Sequence, residues 1–250
     1  MITLSIISHG QRELAIKLLR DLARHGCPDV SEVIYTRNLP EPPLPAIDLG
    51  HIRLVVIDNP APKGYGANHN AAFARCGQPY FCVCNPDISL PGDPFGRLLG
   101  FMQARGLGLA GPLVKAPDGT VENSARRLYT PREVIRQKLA PANQCAAEHW
   151  IAGMFMLFRA DAFRSVGGFD PCYYLYIEDV DICTRLCVEG WTLAQCPDAV
   201  VVHDARRDSH RTLRYSLWHL SGMLRYWSSP GFWRYRRLLA ERADADPPVR

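Results

Sequence analysis

The sequence predicts an α/β protein built around a mostly parallel sheet with helices on both faces. Apolar runs typical of buried strands alternate with segments of helical periodicity over residues 1–106. Polar or proline-containing turns follow these runs, as expected where a buried strand reaches the surface. The chain has 250 residues, of which 47% are hydrophobic and 22% charged, so it can bury one large core.

The elements of the first half follow one another in regular order. Strands are predicted at Ile2–Ile7, Glu32–Tyr35, Ile52–Ile57 and Tyr80–Cys84, and helices at Leu14–Leu22, at Ala67–Cys76 and after Asp93-Pro94. Gly26 is predicted to end the first helix, and the proline-rich stretch 39–45 to form a surface loop. Sheets of this class bind ligands at the carboxyl ends of their strands, where Asn85 and Asp87 are expected to lie.

After Gly106 the pattern predicts a smaller region of strands with mixed direction. Strands are predicted at Leu107–Val114, Met154–Phe158 and Ala199–Val202, a turn at Asp118-Gly119, a helix at Glu178–Glu189, and helical structure from Leu213 onward. No internal repeat and no low-complexity tract interrupts this series.

Composition narrows the class of protein and its expected location. A net charge of +4 is too small to indicate a nucleic-acid partner by itself. The nine cysteines are odd in number and unclustered, which is typical of reduced thiols in the cytoplasm. The N-terminus lacks the basic region of a signal peptide, and the longest apolar run, Ile151–Phe158, is too short to span a bilayer. We therefore expect a cytoplasmic protein that at most touches a membrane surface.

Three groups of polar residues are candidates for chemistry. Asn85-Pro86-Asp87 places a carboxylate where a divalent ion can meet a diphosphate, although the same residues also form ordinary turns. Glu178, Asp179 and Asp181 open a predicted helix, whose dipole alone favours anions there. Three carboxylates exceed what one helix end can use, which indicates a general base. His203 ends a predicted strand, where a metal or phosphate contact competes with a purely structural role.

These groups occur in a fixed order with several longer segments. The segments are residues 63–72 (KGYGANHNAA), 85–87 (NPD), 150–159 (WIAGMFMLFR), 166–170 (VGGFD), 175–186 (LYIEDVDICTRL), 190–191 (GW) and 200–203 (VVVH). In this order they resemble the inverting family-2 glycosyltransferases with the GT-A fold, in the rhamnosyltransferase-like branch. The resemblance covers roughly residues 1–210, and the block from the paired glycines into the acidic helix is its most specific part.

The resemblance implies a domain division and a set of roles. It implies a GT-A domain over 1–210, divided into a nucleotide-sugar half (about 1–106) and an acceptor half (about 107–210), followed by a helical extension over 211–250. Asp179 matches the catalytic base, with Glu178 beside it. Asp87 and His203 match ligands of a Mg²⁺ or Mn²⁺ ion that holds the donor diphosphate. The remaining implied contacts are Asn38, Asp58, Gly66, Asn70, Asn85 and Asp87 for the nucleotide sugar, and Trp150, Gly153 and Tyr176 for the acceptor.

The implied partners are a dTDP- or UDP-sugar donor and a glycan or lipid-linked acceptor. Related enzymes usually carry an Asp-Asn pair after the second strand, where this chain has Arg37-Asn38, and an aspartate where it has Asn85. These departures leave open whether the donor nucleotide is dTDP or UDP. Inversion is a single displacement, so the chemistry needs one base and charge neutralisation on the leaving diphosphate, without a covalent sugar intermediate.

Three other functions compete with this interpretation. A sugar nucleotidyltransferase would need a glycine-rich basic loop after the first strand, and residues 8–13 (SHGQRE) contain one glycine. A GT-A protein that binds sugars without catalysis is favoured by Arg37 and Asn85. Glu178-Asp179 and His203 oppose it. A nucleic-acid binder is suggested only by the arginine- and aromatic-rich C-terminal segment, and the acidic cluster opposes it.

The C-terminal segment is a candidate for peripheral membrane contact. Six arginines from Arg214 to Arg242 are interleaved with seven aromatic residues, a composition typical of helices in a lipid headgroup layer. In the first half of the segment, Trp218, Leu220, Leu224 and Trp227 have the spacing of a helical face that packs on the catalytic domain. Pro230-Gly231 divides the segment, so we predict packing for the first half and lipid contact from Phe232 onward.

Overall fold

The computed structural model describes residues 1–128, 130–131, 149–204 and 213–245. The domain boundary predicted at residue 210 lies outside these ranges, as do the side chains of Arg214 and Arg242. Within them, no helix is both long and apolar enough to cross a membrane.

An eight-stranded sheet forms the centre of the protein, with a two-stranded sheet beside it. Strands in chain order are β1 (Ile2–Ser8), β2 (Val30–Arg37), β3 (Arg53–Asp58), β4 (Tyr80–Cys84), β5 (Ile88–Ser89), β6 (Leu109–Lys115), β7 (Ala125–Arg126), β8 (Trp150–Ile151), β9 (Phe155–Arg159) and β10 (Leu193–His203). The large sheet has the order β3-β2-β1-β4-β9-β6-β10-β5, and β7 pairs with β8. Strands β3, β2, β1 and β4 are parallel, whereas β9 is antiparallel to β4 and β6. The prediction of a mostly parallel sheet followed by a mixed region is confirmed.

Seven helices of the described residues flank the sheet. They are α1 (Arg12–His25), α2 (Tyr65–Phe73), α3 (Phe95–Arg105), α4 (Ala160–Ser165), α5 (Glu178–Val188), α6 (Leu213–Ser228) and α7 (Pro230–Ala245). Gly26 ends α1 in the left-handed conformation, as predicted, and its N–H binds the carbonyl of Leu22. Helix α3 begins one residue later than predicted, with Pro94 at its N-cap, and the side chain of Asp93 accepts the N–H of Phe95.

The sheet separates two hydrophobic cores. One core lies between the sheet and helices α1 and α3, and the largest of its fully buried side chains are Tyr35, Phe95 and Phe155. The other lies on the opposite face, where Phe81, Phe158, Phe163 and Phe169 contact one another at ring-centroid distances of 5.0–6.1 Å. Because both faces are covered, the central strands are buried on both sides and their sequences are almost continuously apolar.

The C-terminal helices agree with the prediction for that segment only in part. Phe232 and Tyr235 of α7 are buried in the second core, and α7 packs on α5. Leu220 and Leu224 of α6 are exposed instead of packed. Packing was wrongly predicted for these two leucines because Gly222 and Tyr226 supply the buried face of α6. Trp227 does pack against the second core, as predicted. A glycine and a tyrosine do not stand out as a packing stripe in a hydrophobicity pattern.

Candidate active site

Asp87 and His203 come together at the carboxyl edge of the sheet. Strand β5 begins directly after Asp87 and pairs antiparallel with the end of β10, so that Ile88 lies opposite His203. The N–H of Asp204 donates to the carbonyl of Asp87 at 3.1 Å, which fixes the two segments. The Nε2 atom of His203 consequently lies 3.5 Å from Oδ2 of Asp87.

Glu122 holds the opposite side of the His203 ring. Its Oε2 atom lies 3.0 Å from Nδ1 of His203. Burial alone would lower the pKa of His203, but its hydrogen bonds with Asp87 and Glu122 raise that pKa to about 9. A histidine that binds a metal ordinarily donates its other ring N–H to a carboxylate, and Glu122 stands in that position.

These residues fit the divalent cation that the resemblance implies. Oδ1 of Asp87 is buried and has no hydrogen-bond partner among the described residues. A buried carboxylate oxygen without a partner is costly unless a cation or water satisfies it. No group of three or more His, Cys, Asp or Glu side chains in the described ranges forms a complete metal cage.

Asp179 lies at the N-terminus of α5 and faces the chain before β9. Its Oδ2 accepts the N–H of Gly153 at 2.9 Å, and its Oδ1 accepts the N–H of Val180 at 2.8 Å. Burial raises the pKa of Asp179, while these two hydrogen bonds and the charge of Arg126 oppose the shift without cancelling it. The carboxylate is therefore held in one orientation and is a stronger base than an exposed aspartate.

Glu178 and Asp181 differ from Asp179 in their surroundings. Burial raises the pKa of Glu178, and the neighbouring charge of Asp179 raises it further. Oε2 of Glu178 is buried and finds no hydrogen-bond partner in the described part of the chain. Because Asp179 has two N–H donors that favour its ionised form, Glu178 is the carboxyl that holds the proton. Asp181 pairs instead with Arg185, one helical turn further on, at 2.7 Å.

Tyr65 connects the Asp87 turn with the Asp179 carboxylate. Its hydroxyl donates to the carbonyl of Gly153 at 2.5 Å and lies 3.2 Å from Oδ1 of Asn85. Burial raises the pKa of Tyr65, and the negative charges of Asp179 and Asp87 add to the shift. The N–H of Gly153 meanwhile holds Asp179, so one peptide segment is bound from both sides. The structure thus brings Asn85, Asp87, Gly153 and Asp179 into one site.

The turn before α5 has an unusual backbone. Tyr176 and Ile177 have φ angles of 72° and 73°, a region that β-branched side chains rarely enter. Gly222 of α6 lies against this turn: a β-carbon there would be 3.1 Å from Cγ1 of Ile177 and 3.3 Å from the carbonyl oxygen of Tyr176. Packing from the C-terminal helix therefore helps to keep the strained turn in place directly before Glu178 and Asp179.

The predicted nucleotide contacts lie at the ends of β2 and β3. Asn38 is buried, and its amide donates to His9 and to the Lys63 carbonyl and accepts from the N–H of Lys63 and from Asn59, at 2.8–2.9 Å. Asn38 therefore joins three segments of this edge. Asp58 is exposed and forms a two-pronged ion pair with Arg37. Of the two residues, Asp58 is the one that a ligand can reach.

Gly66 and Asn70 face the paired glycines of the 166–170 segment. A β-carbon on Gly66 would come within 2.6 Å of Cβ of Phe169. Asn70 donates to the carbonyl of Phe169 at 2.7 Å and accepts its N–H at 2.9 Å. A side chain on Gly168, at φ 73°, would meet Asn70 within 2.5 Å. The two sequence motifs therefore interlock, and their side chains support the site through Phe169.

The three predicted acceptor contacts are placed differently. Gly153 lies beside Asp179, and Tyr176 stands in the strained turn with its ring 5.5 Å from that of His219. Trp150 is only 6% exposed, and the guanidinium of Arg126 covers its ring at 5.1 Å. The burial of Trp150 favours packing in the core over contact with an acceptor.

Sequence reasoning missed three residues of the site. Tyr65 falls within the 63–72 segment, but its hydroxyl has no sequence signal that distinguishes it from a core aromatic residue. Glu122 follows an irregular stretch and becomes a neighbour of His203 only through sheet pairing. Gly222 lies in the middle of a helix, where an isolated glycine indicates at most a close contact.

The fold and this site define a glycosyltransferase with the GT-A fold. The model of the family described as "Glycosyl transferase family group 2" matches residues 87–238, and the chain belongs to that family. The N-acetylglucosaminyl-diphospho-decaprenol L-rhamnosyltransferase of Mycobacterium tuberculosis H37Rv is 29% identical over 72% of this chain and 71% of its own. Rhamnosyltransferase WbbL of Escherichia coli K12 is 25% identical over 90% of this chain and 92% of its own.

Solved structures of low identity share the fold. The mannosyltransferase PcManGT from Pyrobaculum calidifontis, in complex with GDP-Man and Mn²⁺, has a TM-score of 0.60 at 13% identity. The match covers 99% of this chain and 76% of that one. GalNAc-T7 with UDP, GalNAc and Mn²⁺ has a TM-score of 0.61 at 14% identity, over 82% of this chain and 43% of that structure. The GT-A prediction is confirmed.

Proposed function

We propose that the protein is an inverting glycosyltransferase of bacterial surface polysaccharide assembly. It moves a sugar from a nucleotide-diphosphate donor to a hydroxyl of a glycan or lipid-linked acceptor. One observation carries this proposal: the Asp87–His203 pair and the Asp179 carboxylate lie at one edge of the sheet and are joined through Tyr65 and Gly153. A site for the leaving diphosphate and a base for the acceptor are what such a transfer needs.

The donor half of the site is proposed from Asp87, His203 and Asp58. Asp87 and His203 would hold Mg²⁺ or Mn²⁺, since one carboxylate and one imidazole suit both ions. When bound, the ion neutralises negative charge on the diphosphate as the sugar leaves. Complexes of structural neighbours with Mn²⁺ support a divalent ion. Asp58, with Arg37 beside it, is proposed to contact the nucleotide. Asn38, Gly66, Asn70 and Asn85 are proposed to shape the nucleotide-sugar site.

The acceptor half is proposed from Asp179 and its surroundings. Asp179 takes the proton of the attacking hydroxyl, and its hydrogen bonds from Gly153 and Val180 keep the carboxylate aimed during the transfer. General-base catalysis of this kind contributes about 10²–10⁴-fold to the rate. Glu178 remains protonated and limits the negative charge beside the base. Gly153 and Tyr176 border the acceptor.

The relatives indicate the substrate class. The mycobacterial relative is named as a rhamnosyltransferase that acts on N-acetylglucosaminyl-diphospho-decaprenol. For this chain we propose a deoxyhexosyl or hexosyl donor carried by dTDP or UDP, and a sugar linked through diphosphate to a polyprenyl lipid as acceptor. The reaction would take place in the cytoplasm, at the inner face of the membrane that holds this acceptor.

The proposal is tested with purified full-length protein, N-acetylglucosaminyl-diphospho-polyprenol and a panel of dTDP- and UDP-sugars. We expect metal-dependent release of one nucleotide together with glycosylation of the acceptor. Asp87→Ala should abolish transfer at any metal concentration, whereas Asp161→Ala, which removes an exposed carboxylate paired with Arg159, should leave it unchanged. Full transfer in excess chelator, or by Asp87→Ala, would contradict the metal assignment. Absence of transfer with every donor would favour the binding-protein alternative.

A further inference from the structure

The outward face of α6 is apolar where a solvent-facing helix is normally polar. Leu217, Leu220 and Leu224 are 64%, 49% and 58% exposed, and their spacing of three and four residues places them along one side of the helix. The opposite side carries Gly222 and Tyr226, which are buried against the protein. We call the three leucines the α6 leucine face.

The chain around this face is basic. Residues 213–237 contain five arginines and no aspartate or glutamate, and one of the five, Arg225, pairs with Asp170. On α7, Trp233 is 55% exposed and the Arg236 guanidinium lies 5.0 Å from the centre of its ring. Arg234 and Arg237 are exposed as well. An anionic lipid bilayer has an apolar interior and a negatively charged surface. Exposed leucines and a tryptophan suit its interior, and arginines without neighbouring acidic residues suit its surface.

We propose that the α6 leucine face, with the arginines of α7 around Trp233, docks on the surface of an anionic lipid bilayer. This inference deepens the proposed function and rests on it for the choice of a membrane, since the proposed acceptor is anchored there. The leucines enter the boundary between headgroups and acyl chains, while the arginines contact phosphate groups. The buried face of the same helix contacts the turn before Asp179, so docking places the base near the membrane surface.

Charge favours lipid over a second copy of the chain as occupant. Two copies meeting through this surface would bring the three exposed arginines of each α7, Arg234, Arg236 and Arg237, together without an acidic residue from the same stretch, and like charges repel. An anionic bilayer instead attracts each of them, and its interior accepts the leucines.

The experiment measures binding of the full chain to vesicles of phosphatidylcholine, with and without phosphatidylglycerol. We expect wild-type protein to sediment with the anionic vesicles and to be released by salt. A variant with Leu217→Ser, Leu220→Ser and Leu224→Ser should bind at least about tenfold more weakly. The matched control changes three exposed apolar residues elsewhere, Leu54→Ser, Val56→Ser and Val121→Ser, and should bind within about twofold of wild type.

A second variant tests the contribution of the α7 arginines to binding and leaves the three leucines unchanged. Arg234→Gln with Arg237→Gln should weaken binding to anionic vesicles and leave the small binding to neutral vesicles unchanged. Transfer to a soluble short-chain acceptor should stay at the wild-type rate in both variants, which separates docking from the proposed function. Equal vesicle binding by wild type and the leucine variant would overturn the inference. So would a wild-type dimer, seen by light scattering, that the leucine variant loses.

Discussion

Replacement of Asp179 by asparagine examines the proposed base directly. The aspartate accepts two backbone N–H groups, one on each oxygen, from Gly153 and Val180. An asparagine has one oxygen and one NH₂ group, so only one of these hydrogen bonds can be kept. The other N–H then faces a donor, which costs about 0.5–1.5 kcal/mol of folding stability, or more where the N–H remains buried.

The same substitution also removes a destabilising interaction. Burial and the neighbouring carboxylate raise the pKa of Glu178, so loss of the Asp179 charge lets Glu178 ionise more easily. These effects oppose each other, and we expect the variant to unfold within about 4 °C of wild type. Turnover, however, should fall by about 10²–10⁴-fold, because the amide cannot accept the acceptor proton.

The assay follows nucleotide release at saturating donor and acceptor, with the donor dissociation constant measured separately. We expect kcat to collapse while donor binding stays within a few-fold of wild type, since donor contacts lie on the Asp87 side of the site. Glu178→Gln is the matched control, because a glutamine resembles the protonated glutamate that we infer. It should keep most of the turnover.

The pH profile supplies a second readout for the same residue. Burial raises the pKa of Asp179, so turnover of wild type should rise with pH through a value above the ordinary range of an aspartate. Near-normal turnover by Asp179→Asn, with a collapse in Glu178→Gln, would refute the assignment. If turnover instead rises with pH at the ordinary pKa of an aspartate, the result would contradict the inference that burial raises the pKa of Asp179.

Two further predictions concern the residues that hold the base in place. Tyr65→Phe removes the hydroxyl that binds the Gly153 carbonyl. We expect kcat to fall about tenfold with little change in KM for the donor. An unchanged kcat would assign Tyr65 to packing alone. Gly222→Ala places a methyl group against Ile177, so we expect kcat to fall. A Gly→Ala change within a helix usually raises the free energy of unfolding by up to about 1 kcal/mol, and we expect this increase to be missing here. Gly100→Ala, in open space on α3, is the control that should show this gain at unchanged kcat, and equal behaviour of the two variants would contradict the role of Gly222.

The fold was predictable from sequence where local signals and burial agree. Strand β4 was predicted with the bounds Tyr80–Cys84 that the structure shows, because a run buried on both faces is apolar throughout and ends at a proline turn. The two-residue strands β5, β7 and β8 were missed, since so short a run has no periodicity to detect. These short strands are the elements that draw Asp87 to His203 and Arg126 over Trp150.

The site was predictable in its residue types more than in its contacts. The resemblance supplied Asp87, Asp179 and His203, whose roles remain predictions, and the structure places them at one edge. It could not supply Glu122, because the chain between the Asp118-Gly119 turn and β7 has no regular pattern and its neighbours are set by β6 and β10. Nor could it show that Asn38 and Asn70 use their amides on the backbone of other segments, which is a property of the folded chain.

The pairing of β5 with β10 has a consequence for how the protein becomes active during synthesis. Strands β1 to β4 are parallel neighbours in space and close in sequence, so the edge proposed for the nucleotide can assemble from the first part of the chain to leave the ribosome. His203 and Glu178–Asp179 emerge much later, and a partner of Asp87 exists only once β10 has joined the sheet. A chain that ends before β10 cannot form the contact between Asp87 and His203. The proposed site is therefore complete only after most of the chain has been synthesised.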